Sequence, residues 1–132
     1  MEATVLVVDD QLSNRDLVRM VLSHHGYSVV EACSGAEALE VLAGSPADVV
    51  ITDLVMPEMN GYDLALAMRS RESTRRIPVI FYTALYATET SRPAALAEAP
   101  VTRIVPKNGD LTRLLAAVTD ALVDAGLRPI ET

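Results

Sequence analysis

Short runs of β-branched and apolar residues alternate along this chain with longer stretches of helical period. The runs are Thr4–Val8 (TVLVV), Ser28–Ala32 (SVVEA), Asp48–Thr52 (DVVIT), Ile77–Tyr82 (IPVIFY) and Val101–Val105 (VTRIV). The first, third and fourth are nearly unbroken in apolar residues, as strands buried on both faces require. The second and fifth carry Glu31 and Arg103, which predicts that they form the edges. Between the runs, Leu12 to His25 sets Leu17, Val18, Val21 and Leu22 on one helical face and stops at Gly26, a suitable C-cap. Ser34 caps a second helix through about Ala43, and a third runs from about Gly61 to Arg71. Leu111, Leu114, Leu115, Val118, Leu122 and Val123 form the clearest amphipathic stripe. The poorest helix is Ser91 to Ala99, with Pro93 in its first turn and Pro100 at its end. The alternation predicts an α/β domain of (βα)5 type, a five-stranded parallel sheet with crossover helices. Residues 1–126 read as one domain and 127–132 as a tail or the start of a linker.

Composition narrows the function classes. A chain of 132 residues that is 50% apolar and 22% charged has the core material of one folded domain, not of a disordered or low-complexity segment. Its net charge of -7 repels phosphate backbones and anionic bilayers, so direct nucleic-acid or membrane binding is not expected. No apolar run is long enough to span a bilayer, and the N-terminus lacks a signal-like pattern. The single cysteine, Cys33, reads as a small buried apolar residue, which suits a reducing cytoplasm. His24 and His25 are adjacent, about 100° apart on a helix, so they do not chelate one ion and read as surface residues. Met20, Met56, Met59 and Met68 read as core and loop packing.

In parallel α/β sheets the working loops lie beyond the carboxyl ends of the strands. The first run is followed by Asp9-Asp10, the third by Asp53, the fourth by Thr83-Ala84, and the fifth closely by Lys107. Alone, Asp9-Asp10 would be a helix cap, Thr83 a strand-end threonine and Lys107 a solvated lysine. Their joint arrival on one rim points to a site. Clustered carboxylates repel one another unless a cation neutralises them. Magnesium suits an all-oxygen set of two or three carboxylates, whereas zinc would want sulfur or imidazole. A screened carboxylate can act as a nucleophile to form an aspartyl phosphate. Lys107 and the Thr83 hydroxyl would then hold the phosphoryl oxygens.

Taken together, the acidic pair in VLVVDD, the motif DLVMPEMNG starting at Asp53, Thr83-Ala84 and Lys107 resemble the receiver domain of two-component response regulators. The similarity covers about Thr4 to Ala125. The resemblance implies a flavodoxin-like, doubly wound sheet of strand order 2-1-3-4-5 with helices on both faces. It makes Asp53 the acceptor of a phosphoryl group from a histidine kinase phosphohistidine. It assigns magnesium to Asp9, Asp10, Asp53 and the backbone carbonyl of Val55, and the phosphoryl group to Thr83 and Lys107. Met56-Pro57 and Gly61 would shape the loop, with glycine permitting the turn into the third helix. Val55 and Leu85 stand two residues beyond Asp53 and Thr83; both are apolar and unable to orient a hydrolytic water, which implies a persistent aspartyl phosphate. Implied partners are a histidine kinase or phosphotransfer domain, a downstream or appended output domain, and a second copy through the last helices and strands.

The chain departs from the family pattern twice. Pro106-Lys107-Asn108 stands where the family has Lys-Pro joined by a cis bond. A non-proline cis bond costs about 2.5 to 4 kcal/mol, so the loop either keeps that strain or is rebuilt with a trans bond. Ile104 stands where the family has a rotating aromatic residue, so the usual threonine-aromatic coupling does not operate unchanged. Two other readings remain: a haloacid-dehalogenase-type phosphohydrolase, which expects a second aspartate that DDQLS lacks, and a pseudo-receiver that only binds partners.

Overall fold

The computed structural model describes residues 3–84, 102–107 and 111–126. Its elements are β1 (Thr4–Val8), α1 (Leu12–His24), β2 (Ser28–Ala32), α2 (Gly35–Gly44), β3 (Val49–Thr52), α3 (Gly61–Arg69), β4 (Val79–Thr83), β5 (Thr102–Pro106) and α4 (Leu111–Asp124). The helix expected at Ser91–Ala99 and the tail 127–132 lie outside the described residues. All strand pairs are parallel and the order is β2-β1-β3-β4-β5. The strand that holds Glu31 and the one that holds Arg103 are the two edges, as their charges imply. Glu31 meets Arg15 and Arg19 of α1, and Arg103 meets Asp124 of α4 at 3.0 Å.

Side chains alternate across the strands and divide the core in two. Val5, Val7, Val49, Ile51 and Ile80 pack with Val18 and Leu22 of α1 and with Leu114, Val118 and Leu122 of α4. Leu6, Val8, Val50 and Phe81 pack on the other side, with Leu39 and Leu42 of α2 and Leu64 and Met68 of α3. The sheet is therefore buried on both faces, which explains the unbroken apolar runs of β1, β3 and β4.

Several local expectations are corrected. Cys33 is exposed, because β2 ends at Ala32, which takes the buried position, and Cys33 opens the loop to α2 with its N–H donating to Glu37 Oε1 at 2.8 Å. Leu17 is also exposed: it lies about 120° around α1 from the Val18 and Leu22 midline, too far to reach the core. Met20 is exposed on the same helix, whereas Met56 and Met68 are buried. His24 is exposed, while His25 is half-buried with Nδ1 2.9 Å from the Val21 carbonyl at the end of α1. Asp48 lies just before β3; its carboxylate accepts from the Thr4 N–H and its own N–H donates to the Thr4 carbonyl, both at 2.8 Å. The fourth strand extends through Thr83, one residue beyond the apolar run.

The loop between β3 and α3 is fixed by space rather than by an unusual backbone angle at Gly61. A Cβ on Gly61 would lie 2.5 Å from the Asp53 carbonyl oxygen and 3.0 Å from Leu54 Cα. The positive φ of this loop falls instead on Glu58, at 67°. Asn60 and Asp63 then start α3 with a reciprocal capping box, Asn60 Oδ1 accepting from the Asp63 N–H at 2.8 Å. Gly61→Ala should lower stability by about 1–3 kcal/mol, the usual cost of overpacking. Urea denaturation measures it, and an unchanged midpoint would show that the β3–α3 loop yields freely.

Candidate functional site

Parallel register brings four strand ends to one rim. Val8 pairs with Thr52, Thr52 with Phe81, and Thr83 with Pro106. The ladder continues one step past the strands: the Asp9 N–H donates to the Ala32 carbonyl at 3.2 Å, the Asp53 N–H to the Val8 carbonyl at 3.1 Å, and the Lys107 N–H to the Thr83 carbonyl at 2.8 Å. Asp9, Asp53 and Lys107 are thus aligned by the sheet itself, although they are far apart in sequence.

The side chains close on one another. Lys107 Nζ donates to Asp9 Oδ2 at 2.7 Å and to Asp53 Oδ2 at 2.8 Å. Asp9 Oδ1 accepts from the Gln11 N–H at 2.9 Å, and Asp53 Oδ1 from the Val55 N–H at 3.2 Å. Asp9 is 4% exposed, so its charge requires this compensation. Burial alone would lower the Lys107 pKa, but the hydrogen bonds to Asp53 and Asp9 and the attraction of both carboxylates outweigh it and hold the ammonium above its ordinary value. The same ammonium lies 5.6 Å from the centre of the Tyr82 ring.

Asp9, Asp10 and Asp53 each offer a carboxylate oxygen, and these oxygens lie within 4.8 Å of one another. An all-oxygen set with Asp10 exposed to solvent fits a hard divalent ion that keeps part of its water shell. Val55 is exposed beside Asp53, and Thr83 is buried at the end of β4. Asp9, Asp10, Asp53, Val55, Thr83 and Lys107 thus all fall on or beside the carboxyl end of the sheet, and Leu85 lies outside the described residues. No described peptide bond is cis, and the bond after Lys107 leads to Asn108, outside the described residues. Sequence reasoning missed Arg15, whose Nη1 donates to the Asp9 carbonyl at 2.7 Å. Its signal was faint: a basic residue one turn into a helix beside a strand that carries a lone glutamate.

A doubly wound α/β domain with an acidic pocket and one lysine at the strand ends defines the class. The sequence matches the response regulator receiver domain over residues 5–119, and the chain belongs to that family. It is 46% identical over 81 residues to chemotaxis protein CheY1 of Helicobacter pylori, spanning 60% of this chain and 65% of that one. It is 42% identical over 82 residues to a probable cyclic di-GMP phosphodiesterase of Vibrio cholerae, covering 62% of this chain but only 18% of the relative. The solved structure of chemotaxis response regulator CheY4 of Vibrio cholerae matches with a TM-score of 0.82 at 30% identity, over 92% of this chain and 100% of that one. No helix among the described residues is long and apolar enough to cross a membrane.

Magnesium should raise the melting temperature, because it relieves repulsion within the carboxylate triplet. A ligand at a hundredfold excess over Kd adds about 2.7 kcal/mol. The gain should be smaller in Asp10→Asn, and thermal melts with and without magnesium measure both; equal gains would place the ion elsewhere.

Proposed function

We propose that this receiver domain takes a phosphoryl group from a histidine kinase or phosphotransfer-domain phosphohistidine onto Asp53 and signals through altered partner binding. The supporting observation is the Lys107 ammonium lying between Asp9 and Asp53, at 2.7 and 2.8 Å. An Asp53 carboxylate oxygen attacks phosphorus; the new O–P bond forms as the P–N bond to the partner's imidazole breaks. Asp9, Asp10, Asp53 and the Val55 carbonyl would hold magnesium, which when bound supplies charge neutralisation for the incoming phosphoryl group. Lys107 has three N–H donors, so it can keep a carboxylate contact and still donate to a phosphoryl oxygen, with the Thr83 hydroxyl donating to another.

Family membership sets aside the dehalogenase-type hydrolase, and the lysine's contacts with both acids favour a working acceptor over a pseudo-receiver. The chemistry is confined to the domain's own phosphorylation and dephosphorylation. Ile104 packs half-buried against the core on the α2 and α3 side, so its branched side chain replaces a rotating ring in the output step. Residues 1–126 form the signalling unit, working in the cytoplasm with a separate or appended output domain. Self-association would use β5 and α4, where Arg103, Arg113 and Asp120 border a 330 Å³ hollow.

Asp53→Asn should abolish labelling by acetyl phosphate or a cognate kinase, because an amide is a poor nucleophile, while the fold survives. Intact-mass spectra read the outcome; phosphorylation of the variant under conditions that label wild type once would sink the assignment.

A further inference from the structure

Asp10 is the exposed member of the triplet, and among the described residues its carboxylate has no hydrogen-bond or ion-pair partner. The backbone that carries it therefore sets the point and the Cα–Cβ direction from which the carboxylate projects. The peptide joining Asp9 to Asp10 is gripped at its carbonyl oxygen by Arg15 Nη1, at 2.7 Å. The same guanidinium faces Glu31 Oε1 through Nε at 3.4 Å, and the other Glu31 oxygen lies 3.4 Å from Arg19 Nε. The Arg15 side chain is only 15% exposed. A line of contacts thus runs from the edge strand β2, through α1, into the turn that carries both acidic residues.

We infer that Arg15 is a positioning residue for the cation site: it fixes the plane of the Asp9-Asp10 peptide and, through it, the point and the Cα–Cβ direction from which the Asp10 carboxylate reaches the ion. The inference rests on the magnesium reading proposed above. A planar guanidinium aims one N–H at the carbonyl while another faces the glutamate, a fixed angle that an ammonium does not provide. Glu31 offsets the charge of Arg15, so the guanidinium acts by geometry rather than as a counter-charge to the triplet. Asp9 is held separately at its carboxylate by the Gln11 N–H and by Lys107. Loss of Arg15 therefore leaves two arms of the site in place and releases the third.

The test is titration with magnesium chloride by calorimetry on wild type, Arg15→Ala, Arg15→Lys and Glu31→Gln, with melting of each metal-free protein measured in parallel. Partners that orient a metal ligand contribute about 10–100-fold to affinity. Arg15→Ala should weaken magnesium at least about tenfold, Arg15→Lys should stay close to it, and Glu31→Gln should fall between these and wild type. If Arg15→Ala does not fold, the lysine and glutamine variants carry the same comparison. Lower melting with wild-type magnesium affinity would reduce Arg15 to a structural bridge and overturn the inference, as would full rescue by lysine. A wild type that binds no magnesium would overturn the cation site itself, and the positioning role with it.

Discussion

The contact on which the rim depends is the Lys107 ammonium held between Asp9 and Asp53. It ties the ends of β1, β3 and β5 together across separations of 98 and 54 residues. Side chains so distant meet only because parallel strands in register deliver their ends to one edge. The carboxylates in turn need the lysine. Two acids drawn toward each other at a partly buried rim repel unless a positive charge stands between them. The sheet creates an electrostatic problem and the fifth strand supplies its answer.

The proposed function draws on the same arrangement. A counter-charge inside the molecule stabilises the rim without a ligand, yet the exposed Asp10 leaves one side open to an external cation. Under the proposed function, Lys107 and a divalent ion would share one charge balance, so arrival of the ion or of a phosphoryl group would alter what the lysine must neutralise. The β3–α3 loop lies against the same rim, with no room for a side chain at Gly61 beside the Asp53 carbonyl. The start of α3 is thereby packed directly against the backbone of Asp53.

Much of this was legible in the residues because the physics is local. Apolar runs bounded by turn residues located the strands, and single charges on the second and fifth runs identified the edges. The strand-end rule alone gathers Asp9, Asp10, Asp53, Thr83 and Lys107 on one rim. What the sequence hid depends on angles and on neighbours far along the chain. Leu17 shares the apolar period of α1, but the core faces a sector centred on Val18 and Leu22. Cys33 looks apolar in its context, yet the strand ends one residue earlier. Gly61 was legible as a required glycine, but its reason, the approach of the Asp53 carbonyl, emerges only in three dimensions. Arg15 was hidden because its partners, a backbone carbonyl and the distant Glu31, carry no motif.

The central claim, that Lys107 and a divalent cation neutralise the same carboxylates, is tested most directly by the stability of Lys107→Met with and without magnesium. In metal-free buffer the variant should lose about 1–3 kcal/mol, the cost of leaving charged hydrogen-bond partners unmade. Magnesium should then stabilise the variant more than it stabilises wild type. A variant as stable as wild type without metal, with the same magnesium increment, would contradict the account.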